Sequence, residues 1–565
     1  MKMTGAQALI KSLVHQGVEV IFGIPGGVMI PIYDALYDCD EIKNYLMRHE
    51  QGAAHAADGY ARASGKVGVC FATSGPGATN LVTGIANAYM DSIPMVAITG
   101  QVRTTALGKD AFQEADITGI TMPITKHNYL IKNVQDIPRI IAEAFHIAGT
   151  GRPGPVLVDI PVDVSQAEVN YEPVTKVELR SYKPTEKGHP LQISKAAKAI
   201  AEAERPVLYA GGGVISADAG KELLDLTEKT HILVGTTLLG KGAIPETHPH
   251  CLGMLGMHGT VYANYAVAHC DLLIAVGARF DDRVTGKLDE FANKAKVIHI
   301  DVDPAEIGKT VRVDIPIVGD CKKVLAELIK KIEPRKETDW NKRITEWREQ
   351  HPIACPTDTK EVYPQCVIAA AWELTGGDAI CVTDVGQHQM WAAQFYKCAG
   401  PRKFLSSGGL GTMGYGLPAA FGAQVAKPGE TVLHIAGDGS LQMTIQELAP
   451  AVQHKLPIKT LLMNNQYLGM VRQWQELFWN KRYSGVDISA QPDFVKLAEA
   501  YGAVGLRVTK HQDIEPAIRK AMDVKDVPTI IDFRIAKEEN VFPMIPSGKG
   551  VRDIIFGEQK PKRRR

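Results

Sequence analysis

The chain has 565 residues, of which 45% are hydrophobic and 22% are charged, and its 63 lysines and arginines balance its 63 aspartates and glutamates. These values are typical of a globular protein, and the balanced charge argues against nucleic acid or a membrane surface as a partner. The length exceeds what one hydrophobic core can organise and predicts three or four domains.

Targeting signals and cysteines bear on localisation. No apolar run approaches the roughly 20 residues of a membrane span, so we expect no membrane partner. The first amphipathic pattern, GAQALIKSLVHQGV, begins within the first few residues and leaves no room for a signal peptide. The nine cysteines are scattered without a C-x-x-C pair, which predicts reduced thiols in a cytoplasmic protein.

Helix and strand patterns alternate along three stretches, as in parallel, doubly wound sheets. The first stretch covers 1–165, and a linker rich in proline and charge follows at 166–190. The second covers 190–335, the third covers 361–545, and a basic C-terminal tail covers 546–565. We therefore predict an α/β protein with three doubly wound parallel-sheet domains, and we assign no function to the tail.

In the first stretch, Glu50 stands between the strand pattern NYLMRH and an alanine-rich helix pattern. A carboxylate at a helix start is most often a solvated residue that the helix dipole favours. The small residues Ala53, Ala54, Ala56 and Ala57 would also let a flat ring pack against this helix. The residues alone leave both interpretations of Glu50 open.

The second stretch carries a charge cluster directly after an apolar strand. Arg279, Asp281 and Arg283 follow the strand that ends at Gly277, where open α/β sheets bind nucleotides. Such a cluster is usually a solvated loop of salt bridges. Asp301, at the end of the strand KVIHID, could accept hydrogen bonds from a ribose or an adenine. Nucleotide binding is therefore an open interpretation of this stretch.

The segment GTTLLGKG, residues 235–242, matches the first seven positions of a phosphate-binding P-loop. The eighth position should be Ser or Thr to bind Mg²⁺, and here it is Gly242. We therefore reject a nucleoside triphosphatase.

The third stretch opens with two loops of uncertain meaning. The strand AICVT leads into Gln387 and His388, although a single histidine at a strand end is more often merely hydrogen-bonded. The segment SGGLGTMGYGLP contains a G-x-G-x-x-G match, but the acidic residue that a dinucleotide loop needs about 20 positions later is absent. Met413 in this loop could equally be a core residue.

The strongest pattern is 432–467, which reads as strand, Gly-Asp-Gly-Ser turn, helix and second strand. The two strands end near Asp438 and Asn465, which are 27 positions apart, and parallel strand ends meet at one edge of a sheet. One carboxylate and one amide oxygen suit Mg²⁺, which completes its coordination with ligand phosphates. The glycines beside Asp438 and the following helix start favour a phosphate group. The residues therefore predict a Mg²⁺–diphosphate site.

The same segment, GDGS followed about 25 residues later by NN, resembles the motif of thiamine diphosphate (ThDP) enzymes. The resemblance implies that Asp438, Asn465 and the backbone carbonyl of Tyr467 bind Mg²⁺. It implies that Glu50 forms a hydrogen bond with N1′ of the aminopyrimidine, favouring the tautomer that generates the reactive ylide. Met413 would hold the cofactor in a bent form that brings the 4′-nitrogen near C2.

A wider resemblance extends over nearly the whole chain. FGIPGGVMIPIYDAL, ATSGPGATN, GMLGMHG, GARFDDRVTGK and NNQYLGMVRQWQELF resemble segments of the acetohydroxyacid synthase family, catalytic subunit. DAFQE, with Phe112 and Gln113, and RFDDRVTG resemble the FAD-containing biosynthetic type, in contrast to the flavin-free catabolic type. The three domains would then bind the ThDP pyrimidine, FAD, and the ThDP diphosphate with Mg²⁺, in that order.

The resemblance assigns roles by position. The catalytic residues would be Glu50, Gln113 and Gly27. The ThDP contacts would be Glu50, Pro76, Asn80, Gln387, His388, Gly411, Met413, Gly437, Gly439, Ser440, Asn465, Tyr467, Leu468 and Met470. The FAD contacts would be Arg152, Gly211, Gly212, Thr236, Thr237, Leu238, Met257, His258, Gly277, Ala278, Arg279, Asp281, Arg283, Asp301 and Asp320. The substrate channel would contain Val28, Phe112, Lys126 and Trp474.

The resemblance implies decarboxylation of pyruvate and condensation with a second 2-ketoacid, at the first common step of branched-chain amino acid biosynthesis. Pyruvate as acceptor gives 2-acetolactate, and 2-oxobutyrate gives 2-aceto-2-hydroxybutyrate. FAD would be mainly structural. The resemblance also implies a homodimer or tetramer, with each active site shared between the first domain of one subunit and the third of another, and a separate regulatory small subunit.

Three other functions remain to be distinguished. Pyruvate oxidase uses the same cofactors but passes electrons to FAD, and another ThDP-dependent 2-ketoacid decarboxylase would release acetaldehyde. A nucleotide-binding regulatory protein would have no chemistry at all. Val28 stands where the family commonly has a smaller alanine, so acceptor preference and inhibitor sensitivity stay open.

Overall fold

The computed structural model describes residues 1–356 and 360–557. It contains three six-stranded parallel sheets, which lie in consecutive parts of the chain. This confirms the predicted α/β class with three parallel-sheet domains. Every helix in the described ranges is too short or too polar to cross a membrane.

The first unit, residues 2–170, has the strand order β3-β2-β4-β5-β7-β6 in its six-stranded sheet. Its strands are β1 Lys2–Thr4, β2 Val20–Gly23, β3 Lys43–Leu46, β4 Gly68–Ala72, β5 Met95–Gln101, β6 His127–Leu130, β7 Pro155–Pro161 and β8 Glu168–Asn170. Its helices are α1 Gly5–His15, α2 Ile30–Tyr37, α3 Glu50–Ser64, α4 Pro76–Asn80, α5 Val82–Asp91, α6 Ile117–Thr121, α7 Ile137–Gly149 and α8 Val162–Gln166, with 3-10 turns at Gly27–Met29, Thr104–Ala106, Met122–Ile124 and Val134–Asp136.

The middle unit, residues 190–350, has the order β11-β10-β9-β12-β13-β14. This is the 3-2-1-4-5-6 order of dinucleotide-binding sheets. Its strands are β9 Pro206–Ala210, β10 Val234–Thr236, β11 Cys251–Met254, β12 Leu272–Val276, β13 Lys296–Asp301 and β14 Ile315–Val318. Its helices are α9 Pro190–Glu202, α10 Gly212–Ser216, α11 Gly220–Thr230, α12 Val261–His269, α13 Asp282–Thr285, α14 Cys321–Lys331 and α15 Asp339–Gln350, with a 3-10 turn at Leu238–Gly240.

The third unit, residues 364–534, has the order β16-β15-β17-β18-β20-β19, which repeats the pattern of the first unit. Its strands are β15 Ile380–Thr383, β16 Phe404–Leu405, β17 Val432–Gly437, β18 Lys459–Asn464, β19 Val504–Val508 and β20 Thr529–Arg534. Its helices are α16 Pro364–Thr375, α17 Gln387–Phe395, α18 Gly416–Ala426, α19 Asp438–Leu441, α20 Leu448–Gln453, α21 Gly469–Phe478, α22 Phe494–Ala500 and α23 Ile514–Asp523, with 3-10 turns at Ile445–Glu447, His511–Asp513 and, beyond the unit, Val551–Asp553.

The segments predicted as linker and tail contain ordered contacts. Strand β8 lies in the predicted linker and pairs antiparallel with β1, so that Met3 faces Val169. Met544 and Ile555 form an antiparallel bridge, and the backbone N–H of Ile545 donates to the carbonyl of Met257. The described part of the tail therefore packs against the middle unit, while the basic end KPKRRR lies outside the described residues.

The first and third units pack through the alanine-rich helix α3 and the helix α18. A Cβ atom on Gly59 would lie 2.1 Å from the carbonyl oxygen of Ala419, and one on Gly422 would lie 1.9 Å from that of Ala56. Glycine at these two positions lets the helix backbones approach closely. The alanines that suggested room for a flat ring are fully buried, and they share a hydrophobic core with α18.

Candidate functional site

The third unit has a pocket at the carboxyl ends of β15, β17 and β18. In the sheet, β15 lies between β16 and β17. The chain passes from β15 to β16 on one side and later enters β17 on the other side, so the loops that follow β15 and β17 run in opposite directions and leave a crevice between them. The pocket brings together most of the third-unit residues that the resemblance assigns to ThDP or to Mg²⁺. They are Gln387, His388, Met413, Gly437, Asp438, Gly439, Ser440, Asn465, Tyr467, Leu468 and Met470.

Asp438 supplies the carboxylate of this pocket. It begins α19, its side chain is buried, and its Oδ2 accepts a hydrogen bond of 2.9 Å from the backbone N–H of Gln466. Burial raises the pKa of Asp438 to about 7, and the nearby Asp532 acts in the same direction. In the described ranges no salt bridge reaches Asp438. A buried carboxylate without a cationic partner is costly, so a bound cation would stabilise this site.

Asn465 is held in place by its neighbours. Its Oδ1 accepts the backbone N–H of Tyr467 at 3.1 Å, and its Nδ2 donates to Oε1 of Gln387 at 3.2 Å. Gln387 is fixed in turn, because its Nε2 donates to Oε1 of Gln473 at 2.9 Å and to the carbonyl of Glu539 at 3.1 Å. This chain of amides orients the loop after β18 toward Asp438. An oxygen-rich set of this kind fits Mg²⁺.

His388 lies in the wall of the pocket as a neutral imidazole. Burial lowers its pKa to about 3, and its Nε2 is buried without a hydrogen-bond partner among the described residues. A Cβ atom on Gly437 would lie 2.7 Å from Nδ1 of His388, so only glycine fits there. The unpaired ring nitrogen is therefore available to a ligand in the pocket.

Glu50 lies at the start of α3 in the first unit and is 9% exposed. Its Oε2 accepts a hydrogen bond of 2.9 Å from Nδ2 of Asn80 on α4, the helix that begins at Pro76. These three residues, predicted to contact ThDP, thus lie together. They do not line the pocket of the third unit in the same chain.

Other predicted first-unit residues lie in the loops at the same sheet edge. Gln113 has a left-handed φ of 58°, and its carbonyl oxygen would lie 2.7 Å from a Cβ on Gly75, directly before Pro76. Gly27 begins a 3-10 turn, and a Cβ atom added to it would meet nothing within 4 Å. A Cβ atom on Gly100 of β5, in contrast, would lie 2.7 Å from Cγ2 of Val28. Phe112 is 89% exposed.

A cavity of about 810 Å³ lies between the three units. Ligand pockets in proteins are usually about 300–1,000 Å³, so it can hold a large organic cofactor. Its walls contain nearly all residues that the resemblance assigns to FAD. They are Arg152, Gly211, Gly212, Thr237, Leu238, Met257, His258, Gly277, Ala278, Arg279, Asp281, Arg283, Asp301 and Asp320.

The backbone at the switch point of the middle sheet is closely packed. Gly277 has a left-handed φ of 56°, and a Cβ there would lie 2.6 Å from the Cα of Gly213. A Cβ on Gly212 would meet only Leu239, at 3.3 Å, so this backbone stays open to the cavity. Burial raises the pKa of Asp301 to about 6. The cavity thus offers bare backbone and an acidic strand end, as a dinucleotide requires.

Thr236 is the one predicted FAD contact that does not line the cavity. It is the last residue of β10 and is fully buried, and its hydroxyl faces the carbonyl of Gly253 at 3.5 Å. Alternate residues of a strand point to opposite faces, so the neighbouring Thr237 reaches the cavity and Thr236 does not.

Two residues of the first unit, Asp91 and Arg152, help to form the wall of the cavity. Asp91 of α5 accepts the backbone N–H groups of Gly408 and Gly409, at 3.0 and 2.7 Å, and thereby holds a third-unit loop against the first unit. Arg152 connects the first unit to the middle unit, because its Nη1 lies 2.7 Å from Glu306 and 3.2 Å from Asp303. The family resemblance predicts Arg152 as an FAD contact, whereas Asp91 is not predicted, because a single aspartate at the end of a helix has no distinguishing pattern in the sequence.

Two predicted residues lie at the boundary between the pocket and the cavity, two line only the cavity, and one lies elsewhere. Met413 and Met470 line both spaces, and Trp474 lines the cavity. Gly411, predicted for ThDP, lines only the cavity. Lys126, predicted for the substrate channel, lines neither space. Its Nζ donates to the carbonyls of Ile147 and Thr150 at the end of α7 and to the hydroxyl of Tyr182, and burial lowers the pKa of Lys126 to about 8.

Family profiles and individual relatives agree with this geometry. Three profiles of thiamine pyrophosphate enzymes match the chain: the N-terminal TPP binding domain at residues 3–120, the central domain at 193–328 and the C-terminal TPP binding domain at 384–533. The chain is 52% identical to the acetolactate synthase large subunit of Corynebacterium glutamicum, with 98% of the chain and 90% of the relative covered. It is 52% identical to a probable acetolactate synthase large subunit of Methanocaldococcus jannaschii, with 98% and 95% covered. It is also 52% identical to an acetolactate synthase of Arthrospira platensis, with 98% of both covered.

Proposed function

The chain belongs to the acetolactate synthase large-subunit family of thiamine pyrophosphate enzymes, and on that premise we propose that it condenses two 2-ketoacids. It decarboxylates pyruvate and transfers the remaining two-carbon unit to a second pyruvate, giving 2-acetolactate, or to 2-oxobutyrate, giving 2-aceto-2-hydroxybutyrate. It is a transferase that forms a carbon–carbon bond in the biosynthesis of branched-chain amino acids.

ThDP supplies, when bound, the electron sink that makes loss of CO₂ from a 2-ketoacid feasible. The third unit holds its diphosphate end in this proposal. Asp438, Asn465 and the carbonyl of Tyr467 would bind Mg²⁺, and the raised pKa of the buried Asp438 carboxylate supports this because a cation would compensate its charge. The unpaired Nε2 of His388 would face the cofactor.

Glu50 belongs to the first unit, and it would exchange a proton with the aminopyrimidine of a ThDP molecule whose diphosphate is held by the third unit of a partner subunit. Two observations support a shared site. Glu50, Pro76 and Asn80 lie together, and they do not line the pocket of their own chain. We therefore propose a homodimer or a tetramer built from dimers.

FAD would fill the 810 Å³ cavity, with the open backbone at Gly212 near its phosphates and Asp301 near its ribose or adenine. Its role would be mainly structural, because the cavity lies where the three units meet and a bound FAD would hold them together. The acceptor 2-ketoacid would bind near Gly27, Val28, Phe112, Gln113 and Trp474.

Localisation and regulation complete the proposal. All nine cysteines are free, and seven of them are buried, which supports a cytoplasmic protein. Its relatives are named large subunits, which supports a separate regulatory small subunit.

The observation that carries the proposal is the full-length similarity combined with the Asp438–Asn465 pocket beside a flavin-sized cavity. The test is mass-spectrometric product analysis of the purified protein with ThDP, Mg²⁺, FAD, pyruvate and 2-oxobutyrate. We expect both acetohydroxyacids. Acetaldehyde as the main product would instead indicate a decarboxylase, and rapid stoichiometric bleaching of the flavin by pyruvate without oxygen would indicate pyruvate oxidase.

A further inference from the structure

A cluster of histidines lies at the edge of the middle sheet opposite the large cavity. His231 follows α11 directly before β10, and His248 and His250 precede β11. These are the amino ends of the strands, whereas the cavity wall begins after their carboxyl ends, at Thr237. Glu337, in the segment between α14 and α15, completes the cluster.

Three of these side chains have ligand atoms close enough to share a metal ion. One atom each of His231, His250 and Glu337 lies within 4.8 Å of the others. Nε2 of His250 is 3.5 Å from Oε1 of Glu337. Two donors on a tetrahedral ion at bond lengths of about 2.0–2.2 Å stand about 3.4 Å apart, so this pair already has the spacing of metal ligands.

The histidine rings are poorly satisfied by the protein alone. Nδ1 of His231 and Nδ1 of His250 are both buried, and neither has a hydrogen-bond partner within the described ranges. The two rings stand at 88° with centroids 5.4 Å apart. Buried polar atoms normally find a partner, so the orphaned Nδ1 of His231 is open to a ligand, and His250 can offer one of its two nitrogens, either Nε2 beside Glu337 or the orphaned Nδ1.

The backbone around the cluster is anchored on both sides of Glu337. The N–H of Arg335 donates to the carbonyl of Lys229 at 3.0 Å, and Nδ2 of Asn341 donates to the carbonyl of His231 at 2.7 Å. Nδ1 of His248 accepts the N–H of His250 at 3.2 Å. A neutral imidazole that accepts at Nδ1 carries its proton on Nε2, so His248 positions the loop and is not a ligand.

The charges around the cluster favour a cation. Glu337 supplies one carboxylate, whose Oε1 lies 3.5 Å from Nε2 of His250. Glu228, 3.9 Å from Nε2 of His248, adds a second carboxylate nearby. Two imidazoles and one carboxylate suit zinc and related ions.

We propose that His231, His250 and Glu337 bind one divalent transition-metal ion of the zinc class, with water in the remaining position. The ion ties the segment between α14 and α15 to the amino edge of the middle sheet. Glu337 is 64% exposed, so the ion enters from solvent. This site is separate from the proposed Mg²⁺ site, which lies in the third unit.

Equilibrium dialysis of the untagged holoenzyme against micromolar Zn²⁺, with millimolar Mg²⁺ present, followed by elemental analysis tests the proposal. We expect one Zn²⁺ per chain, with the affinity reduced about 100-fold in His250→Ala and His231→Ala, since each removes one of three ligands. His511→Ala is the matched control, because His511 also has a buried unpaired Nδ1 but lies outside the cluster, and it should bind as the unaltered chain does.

Glu337→Gln provides a second variant that preserves the buried packing. It should weaken Zn²⁺ binding at least tenfold while the enzyme activity and the thermal midpoint without Zn²⁺ stay unchanged. Zn²⁺ should also raise the midpoint of the unaltered chain and not that of His250→Ala. Equal Zn²⁺ stoichiometry and affinity in the unaltered chain and in all three cluster variants would overturn the proposal.

Discussion

The pocket of the third unit and the large cavity between the three units both lie at a switch point of a parallel sheet, but they are built in different ways. The pocket wall comes from third-unit loops that follow β15, β17 and β18, together with Met413. The cavity takes residues from all three units, including Asp91 and Arg152 of the first. A site made from adjacent strand ends has a local signature, whereas a site made at a junction depends on how the units pack.

The largest effect should come from the pocket itself. Asp438→Asn removes the pocket carboxylate, so Mg²⁺ binding should be lost and turnover should fall by about 1,000-fold or more, because the diphosphate loses its anchor. Assays with ThDP and Mg²⁺ titrations measure this. Asp526→Asn, an exposed residue in the same unit, is the control. Unchanged Mg²⁺ affinity in Asp438→Asn would contradict the assigned ligand.

Glu50→Gln separates the two ends of the proposed active site. Turnover should fall by about 100- to 1,000-fold while ThDP still binds, because general acid–base catalysis is lost and the diphosphate anchor is intact. Product formation and ThDP affinity are measured together. Glu41→Gln, exposed in the same unit, should keep full activity. A variant of Glu50 that retains every measurable property would favour a binding protein without chemistry.

Arg152→Ala addresses the junction that forms the cavity. The variant lacks the ion pairs of Arg152 to Asp303 and Glu306. Its affinity for FAD should fall by about 10- to 100-fold, since charged hydrogen bonds contribute about 1.5–3 kcal/mol. Flavin fluorescence on dilution reports the release. Arg139→Ala removes an arginine from the surface of α7 and should leave FAD bound. If both variants hold FAD equally, Arg152 does not contribute to the cavity.

The pH dependence of the stability tests the contact that Glu447 makes between the third unit and the first. The Glu447 carboxylate accepts the backbone N–H of Arg48, beside the start of α3, and burial raises its pKa from 4.5 to about 7. The native state therefore binds more protons than the unfolded state between these values, and stability falls as the pH rises through 7. Glu447→Gln removes this loss and should be more stable than the unaltered chain at pH 8, by about 2–3 kcal/mol, and similar below pH 4.5.

Denaturation of Glu447→Gln at pH 4.5, 6 and 8 measures this difference, with the exposed Glu499→Gln as the control. A stability difference that does not change with pH would show that Glu447 does not titrate in this range.

The smallest effect concerns acceptor choice. Trp474→Leu should reduce the preference for 2-oxobutyrate over pyruvate by about tenfold, because discrimination of one methylene by apolar contact is worth about 1–3 kcal/mol. Competition between the two acceptors gives the ratio. Trp479→Leu, 66% exposed and directly after the helix that contains Trp474, should leave the ratio unchanged. An unaltered ratio in Trp474→Leu would remove this residue from the acceptor site.

The sequence by itself determined the fold class, the three sheets and the residues at individual strand ends. Alternating helix and strand patterns specify parallel sheets, and residues such as Asp438, Asn465 and Gly277 follow apolar strands directly, so their place at the sheet edge is a local property. The position of Asp301 follows for the same reason. The separation of Thr236 from Thr237 was not foreseen, because it depends on which face of β10 each side chain takes.

The tertiary structure alone decided the contacts between residues far apart in the chain. Examples are the hydrogen bond from the N–H of Gly408 to Asp91, the hydrogen bond from the N–H of Arg48 to Glu447, and the cluster of His231, His250 and Glu337. These contacts share no sequence spacing that would predict them. Such contacts arise when separately folded sheets pack and place their loops together. Their energy depends on burial and distance in space, and neither is encoded in a short segment.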